Sequence, residues 1–195
     1  MNSIHHLILA SNSPRRKELM LQAGYEFQVV TYDFEEVLPE NILAQEAAAY
    51  LAEEKNKFYR SKLENQTIIT SDTTVIYNDE VYNKPTDKAD ASRMLQTLSG
   101  KTHEVISGVC ISNLQKNISF SVTTKVVFSE MINEEIDYYI EKFKPFDKAG
   151  AYGIQEWIGL TKIESIEGSY FNVVGLPIQE VYEVLRKEFG ISPLD

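Results

Sequence analysis

Leu7-Ile8-Leu9-Ala10 is an unbroken apolar run, and directly after it the chain turns polar with apolar residues at helical spacing. The run predicts a buried strand. Ser13 as N-cap, Pro14 as first helical residue, Leu19 and Ala23 inward and Gly24 as stop predict a short helix behind it. Residues 27–30 read as a second short strand leading into the acidic loop Asp33-Phe34-Glu35-Glu36. A long helix follows, because Ala44, Ala47, Ala48, Leu51, Lys55 and Phe58 recur at three- and four-residue spacing. Lys55 lies in line with that apolar stripe, so its ammonium needs a destination.

Residues 67–70 predict another short buried strand ending at Ser71-Asp72-Thr73, and residues 74–77 and 81–82 predict a hairpin around Asn78-Asp79-Glu80. Asp87 caps a helix over residues 88–98 with Ala91, Leu95 and Leu98 inward and Ser99-Gly100 as its end. Two strands then alternate, one through Val105, Ser107, Val109 and Ile111, the other through Phe120, Val122, Thr124, Val126 and Phe128. They form a long antiparallel pair. Ile132, Ile136, Tyr139, Ile140 and Phe143 outline a helix stopped by Pro145, and Val181, Val184, Leu185 and Phe189 outline the last one. Between them, residues 147–155 are small and glycine-rich, a loop shaped to hug something. Early strand-helix-strand units and a late hairpin predict an α/β fold, a single-domain mixed twisted sheet with flanking helices over residues 1–195.

Composition narrows what such a fold can do. With 195 residues, 43% hydrophobic and 25% charged, the chain can bury one sizeable core. A formal charge of −10 argues against a surface that tracks nucleic acid, which needs a basic stripe. An anionic ligand would therefore need a local basic pocket. The single cysteine, Cys110, excludes an internal disulfide and sits in an apolar stretch, which favours packing and a reducing compartment. The first six residues lack a cationic start and a long apolar stretch, and no run approaches the ~18 residues of a membrane span. The expectation is a cytoplasmic protein without membrane contact.

Arg15 and Arg16 stand in the first turn of the first helix, where the dipole disfavours cations by roughly 0.3–1 kcal/mol each. A bound phosphate would reverse that sign, since free N–H groups there already attract anions. Glu35 and Glu36 follow the second strand, Asp72 stands at the carboxyl end of the third, Lys84 follows the hairpin and Lys55 projects from a helix. Carboxyl ends of strands are where α/β sheets place ligands. Singly, each residue has an ordinary explanation as a solvated acid, a turn former or a snorkelling lysine. Together they meet the needs of phosphoanhydride cleavage: cations for phosphoryl oxygens, carboxylates for a divalent metal, and a carboxylate to take a proton from water. Arg15, Arg16, Lys55 and Lys84 would supply the first, Glu36 and Asp72 the rest. The P-loop, dinucleotide, zinc-protease and nucleophile-elbow signatures are absent, and His5, His6 and His103 are too scattered for a zinc site.

Over nearly its whole length the chain resembles the Maf family of nucleoside triphosphate pyrophosphatases. The resemblance rests on residues 9–16 (Leu-Ala-Ser-Asn-Ser-Pro-Arg-Arg), Ser71-Asp72-Thr73 and Asn83-Lys84-Pro85, and further on residues 98–103, 147–155 and 173–177. It departs at Ser71, where alanine is usual, and at Asn12, where a small residue is frequent. The resemblance implies an inosine-triphosphatase-like fold with a central cleft and hydrolysis between the α and β phosphates, with Mg or Mn. By the same comparison Asp72 is the proton acceptor, Ser11, Arg16, Glu36, Lys55 and Lys84 line the phosphate and metal region, and Glu36 and Asp72 hold the metal.

Family branches differ at three positions that here read Arg15, Thr73 and Gln155, which resembles the branch acting on dTTP and UTP. The 7-methyl-GTP branch typically carries an aromatic, a glutamine and a glutamate there. Thymine and uracil present two carbonyls flanking an N3–H, which a glutamine amide matches with a donor and an acceptor. Cytosine would leave donors unpaired, whereas the thymine methyl is worth only about 1–3 kcal/mol. Alternatives are the same chemistry on a methylated or damaged base, or a non-catalytic nucleotide sensor acting in cell division, since the family name also refers to septum formation. The resemblance and the two long strands are compatible with a homodimer.

Overall fold

The computed structural model describes residues 7–194, so the amino-terminal stretch read for a targeting signal, with His5 and His6, lies outside it. The elements are β1 (Leu7–Leu9), α1 (Pro14–Gln22), β2 (Gln28–Val29), α2 (Ala47–Arg60), β3 (Thr67–Tyr77), β4 (Glu80–Tyr82), α3 (Lys88–Leu98), β5 (Thr102–Ser112), β6 (Asn117–Phe128), α4 (Asn133–Phe143), α5 (Trp157–Thr161), β7 (Ile163–Glu167), α6 (Tyr170–Val174) and α7 (Ile178–Glu188). The strands form one mixed sheet in the order β2-β1-β3-β5-β6-β7, with β4 paired to β3. β1 runs parallel to β2 and β3; the remaining pairs are antiparallel.

One face of the sheet carries α2, whose Ala48 packs on Ile76 and Ile106. The opposite face carries two larger clusters. One gathers α3 and α4 around Leu95, Phe128 and Tyr139, the other α1 and α7 around Met20, Ile69 and Leu185. The predicted caps are present: Ser13 Oγ accepts from the Arg16 N–H, and Asp87 accepts from the Asp90 N–H at 2.8 Å. Among the described residues, no helix is long and apolar enough to cross a membrane.

Three expectations change. The third strand does not stop at Asp72; β3 runs unbroken for 11 residues, laddered to β5 from Ile68 to Ile76. Asp72 is therefore mid-strand, and the polar run Thr70–Thr74 is not a strand end but a largely buried stretch paired with β5. Ile132 is not an inward residue of α4 but precedes it at the N-cap position, where its N–H donates to Glu135 and its side chain is 61% exposed. The elements α5, β7 and α6 were not read from the sequence, because each is only five residues long and too short for a period to register. β7 pairs only with Lys125–Phe128, so the earlier half of β6 remains a sheet edge.

His103 is buried among Phe128 and Tyr152, with Nε2 2.7 Å from the Tyr152 hydroxyl. Burial lowers its pKa from 6.5 to about 4. The unfolded chain thus binds a proton that the folded chain refuses, so this contribution is complete above pH 6.5 and is lost as pH falls towards 4. The loss should be on the order of 3 kcal/mol. Urea midpoints measured from pH 7 to pH 4 should fall more steeply for the parent than for His103→Gln; equal slopes would contradict it.

Candidate active site

The site occupies a gap along one edge of β3. β1 accompanies β3 only as far as Ile69, and β4 takes up the same edge only from Val75. Between them the backbone of β3 lacks a strand partner, and Arg16 fills the opening: its Nη1 donates to the Ser71 carbonyl at 2.7 Å. Because strand residues alternate faces, Asp72 points to the α2 side and Thr73 to the α1 and α6 side. At an open edge both sides reach one cavity.

That cavity has a volume of about 440 Å³, and its walls include Ser11, Arg15, Arg16, Glu36, Lys55, Asp72, Thr73, Lys84 and Gln155. All nine positions singled out in the sequence therefore meet in one place. Glu35 is not among the lining residues, so Glu36 is the acid of that pair that faces the cleft.

Lys55 resolves the question of its ammonium. From the apolar stripe of α2 it reaches Glu36 Oε1 at 2.9 Å and Asp72 Oδ1 at 3.2 Å. Lys84 Nζ lies 3.8 Å from Glu36 Oε2. Burial raises the Asp72 carboxyl pKa above its ordinary value; Lys55 and Arg16 oppose this, and the Glu36 charge adds to it. Glu36 moves the other way. Partial burial pushes it up, but Lys55, Lys84 and Arg16 together bring it below the usual range. Two carboxylates about one cation position form an all-oxygen donor set that could hold a hard divalent ion.

The two arginines diverge. Arg16 is half-buried and committed to the protein: Nε donates to the Gly175 carbonyl at 2.8 Å and Nη2 to Thr73 Oγ1 at 3.1 Å, while Nη1 lies 3.4 Å from Ser11 Oγ. Gly175 follows α6 with φ of 128°, a conformation that turns its carbonyl towards Arg16 and that a side chain would strain. Arg15 instead pairs with Asp147 at 3.0 Å. The Thr73 hydroxyl also lies 2.8 Å from Ser107 Oγ, so its hydrogen bonds are spent on internal partners, Arg16 among them.

Several residues in the cleft wall or directly behind it have no signal in the sequence. Lys148 is buried between Asp147 at 2.7 Å and Glu156 at 3.1 Å. The Tyr139 hydroxyl donates to Glu156 and accepts from the Gly153 N–H, which anchors the loop that presents Gln155. The loop itself was visible as a small-residue segment, but Tyr139 sits in an apolar stripe and nothing local marks its hydroxyl. Tyr32 and Phe34 add aromatic rings to the cleft wall, with Lys55 Nζ 5.9 Å from the Phe34 ring centre.

An open-edge α/β sheet with cations and carboxylates in the gap is the arrangement of an anion-handling enzyme site. The family model for Maf-like proteins matches residues 6–188, and the chain belongs to the Maf family. It is 50% identical to the dTTP/UTP pyrophosphatase of Phocaeicola vulgatus over 185 residues, covering 94% of this chain and 96% of the relative. It is 47% identical to the dTTP/UTP pyrophosphatase of Christiangramia forsetii over 186 residues, covering 94% of each. Among solved structures, the Staphylococcus aureus Ham1 protein aligns with a TM-score of 0.45 at 15% identity, over 63% of this chain and 71% of its own.

Proposed function

We propose that the protein is a metal-dependent nucleoside triphosphate pyrophosphatase that hydrolyses dTTP and UTP to the monophosphate and pyrophosphate. The observation that carries this reading is the convergence of Arg16, Lys55 and Lys84 with Glu36 and Asp72 in a cleft that also holds Gln155. The names and identities of its relatives support the substrate pair.

In this mechanism Asp72 accepts a proton from the attacking water, a role suited to a carboxyl whose burial raises its pKa. The water oxygen forms a bond to the α phosphorus, the bond from that phosphorus to the bridging oxygen breaks, and pyrophosphate leaves. Lys55, Lys84 and Arg16 offset the negative charge of the phosphoryl oxygens. Glu36 and Asp72 would hold Mg or Mn, which when bound adds positive charge at the phosphates. Arg15 and Gln155 face the base end. The Gln155 amide pairs a donor and an acceptor with the N3–H and a carbonyl of thymine or uracil. The same reading takes residues 1–195 as one domain acting on the cytoplasmic nucleotide pool, without nucleic acid or membrane, and admits a homodimer through the free edge of β6.

Purified protein with Mg or Mn and a panel of triphosphates should release pyrophosphate from dTTP and UTP first, and from CTP at least about 10²-fold more slowly. Chelation should abolish release, and added Mn should restore it. Release confined to purine nucleotides would overturn the base assignment, and full activity in excess chelator would overturn the metal.

A further inference from the structure

The position that a metal would share between Glu36 and Asp72 is held by the protein's own cation. Lys55 Nζ contacts both carboxylates, at 2.9 and 3.2 Å, from a side chain that is only 12% exposed. Lys84 approaches the other oxygen of Glu36, and Arg16 holds the carbonyl of Ser71, next to Asp72 on β3. Three cations thus stand about two anions, and with Asp33, Asp147, Arg15 and Lys148 counted the cleft wall still carries one net positive charge, which an incoming free divalent ion meets. Among the described residues, no cluster of three or more carboxylates, histidines or cysteines could hold a metal ion. Two carboxylates leave most of an octahedral shell to be filled by other ligands, and for Mg those are commonly substrate phosphates.

We propose that Lys55 is the resident counter-ion of the Glu36–Asp72 pair in the nucleotide-free protein, and that the divalent ion enters the cleft together with a polyphosphate and not before it. The triphosphate brings the negative charge that the free cleft lacks, gives the displaced ammonium a new partner and completes the ion's oxygen shell. The inference rests on reading the cleft as a triphosphate site. It adds that the metal–nucleotide complex is the species bound.

Mn²⁺ titrations followed by the paramagnetic resonance of the free ion test this without turnover. The nucleotide-free parent should leave submillimolar Mn²⁺ free, whereas Lys55→Gln should bind it at least about tenfold more tightly, because a like charge at contact distance has been removed. Lys55→Arg keeps the charge and should keep the weak binding. Tight binding by the nucleotide-free parent, or equal affinity in parent and Lys55→Gln, overturns the proposal. If circular dichroism shows that Lys55→Gln does not fold, Lys84→Gln replaces it: its lysine is 58% exposed, a smaller rise in affinity is expected, and no rise counts against the proposal. A parent that releases pyrophosphate yet binds Mn²⁺ tightly alone defeats this inference only. A parent that releases none from any triphosphate defeats the functional reading instead.

Discussion

Asp72→Asn is expected to lower pyrophosphate release from dTTP by about 10³-fold, within the range for loss of a positioned proton acceptor. The substitution preserves shape, and Lys55 and Arg16 remain in place beside the new amide. It removes the only carboxylate on β3 that lines the cleft, and with it both the proposed proton acceptor and half of the acidic pair. Binding of dTTP without divalent ion, followed by calorimetry, should be kept or strengthened, because the cleft loses a negative charge while keeping its cations. A variant within tenfold of the parent rate would show that the proton goes elsewhere, with Glu36 as the next group to test. A variant that loses both rate and metal-free binding would instead point to a collapsed cleft.

Gly108→Ala is expected to destabilise the fold by at least about 3 kcal/mol, at or beyond the upper end of the usual overpacking penalty. A Cβ at this position would sit 2.3 Å from the carbonyl carbon and oxygen of Ala48 and 2.4 Å from the Ala49 nitrogen. These are backbone atoms of α2, so relief requires the helix to lift from the sheet. Lifting it moves Lys55 away from Asp72 and strips the cover from Thr70, whose hydroxyl donates to the Ala52 carbonyl at 2.7 Å. The urea midpoint should fall sharply, and activity should drop even at temperatures where the variant stays folded. An unchanged midpoint would show that α2 can stand off β5 without loss.

Both predictions turn on features that were unequally legible in the chain. The side-chain inventory was readable: the capped helix behind β1 and the lysine in line with the stripe of α2 announced themselves by type and spacing, and the motif residues of β3 and of the segment after the hairpin by their resemblance to the family. Whether Glu35 or Glu36 faces the cleft was not readable, since adjacent loop residues carry no period. The extent of β3 was misjudged because its middle is polar, and polarity in a single sequence reads as a turn until the opposing strand β5 is seen to pair with it residue by residue. Gly108 lay unnoticed in an alternating strand because its reason for being glycine is the Ala48 backbone, sixty positions earlier in the chain.

Local order along the chain was thus enough to determine the α/β class, most helices and strands, and the chemical groups available for phosphate and metal. Those properties depend on neighbours within a turn or two, where spacing and capping act. Tertiary structure alone decided that β1 stops short and β4 starts late on the same edge of β3, that Arg16 closes the gap while Arg15 turns to Asp147, and that Lys55 sits between two acids. These outcomes depend on distances between segments far apart in sequence, set by packing and by charges meeting in a partly buried cleft, and no local pattern encodes them.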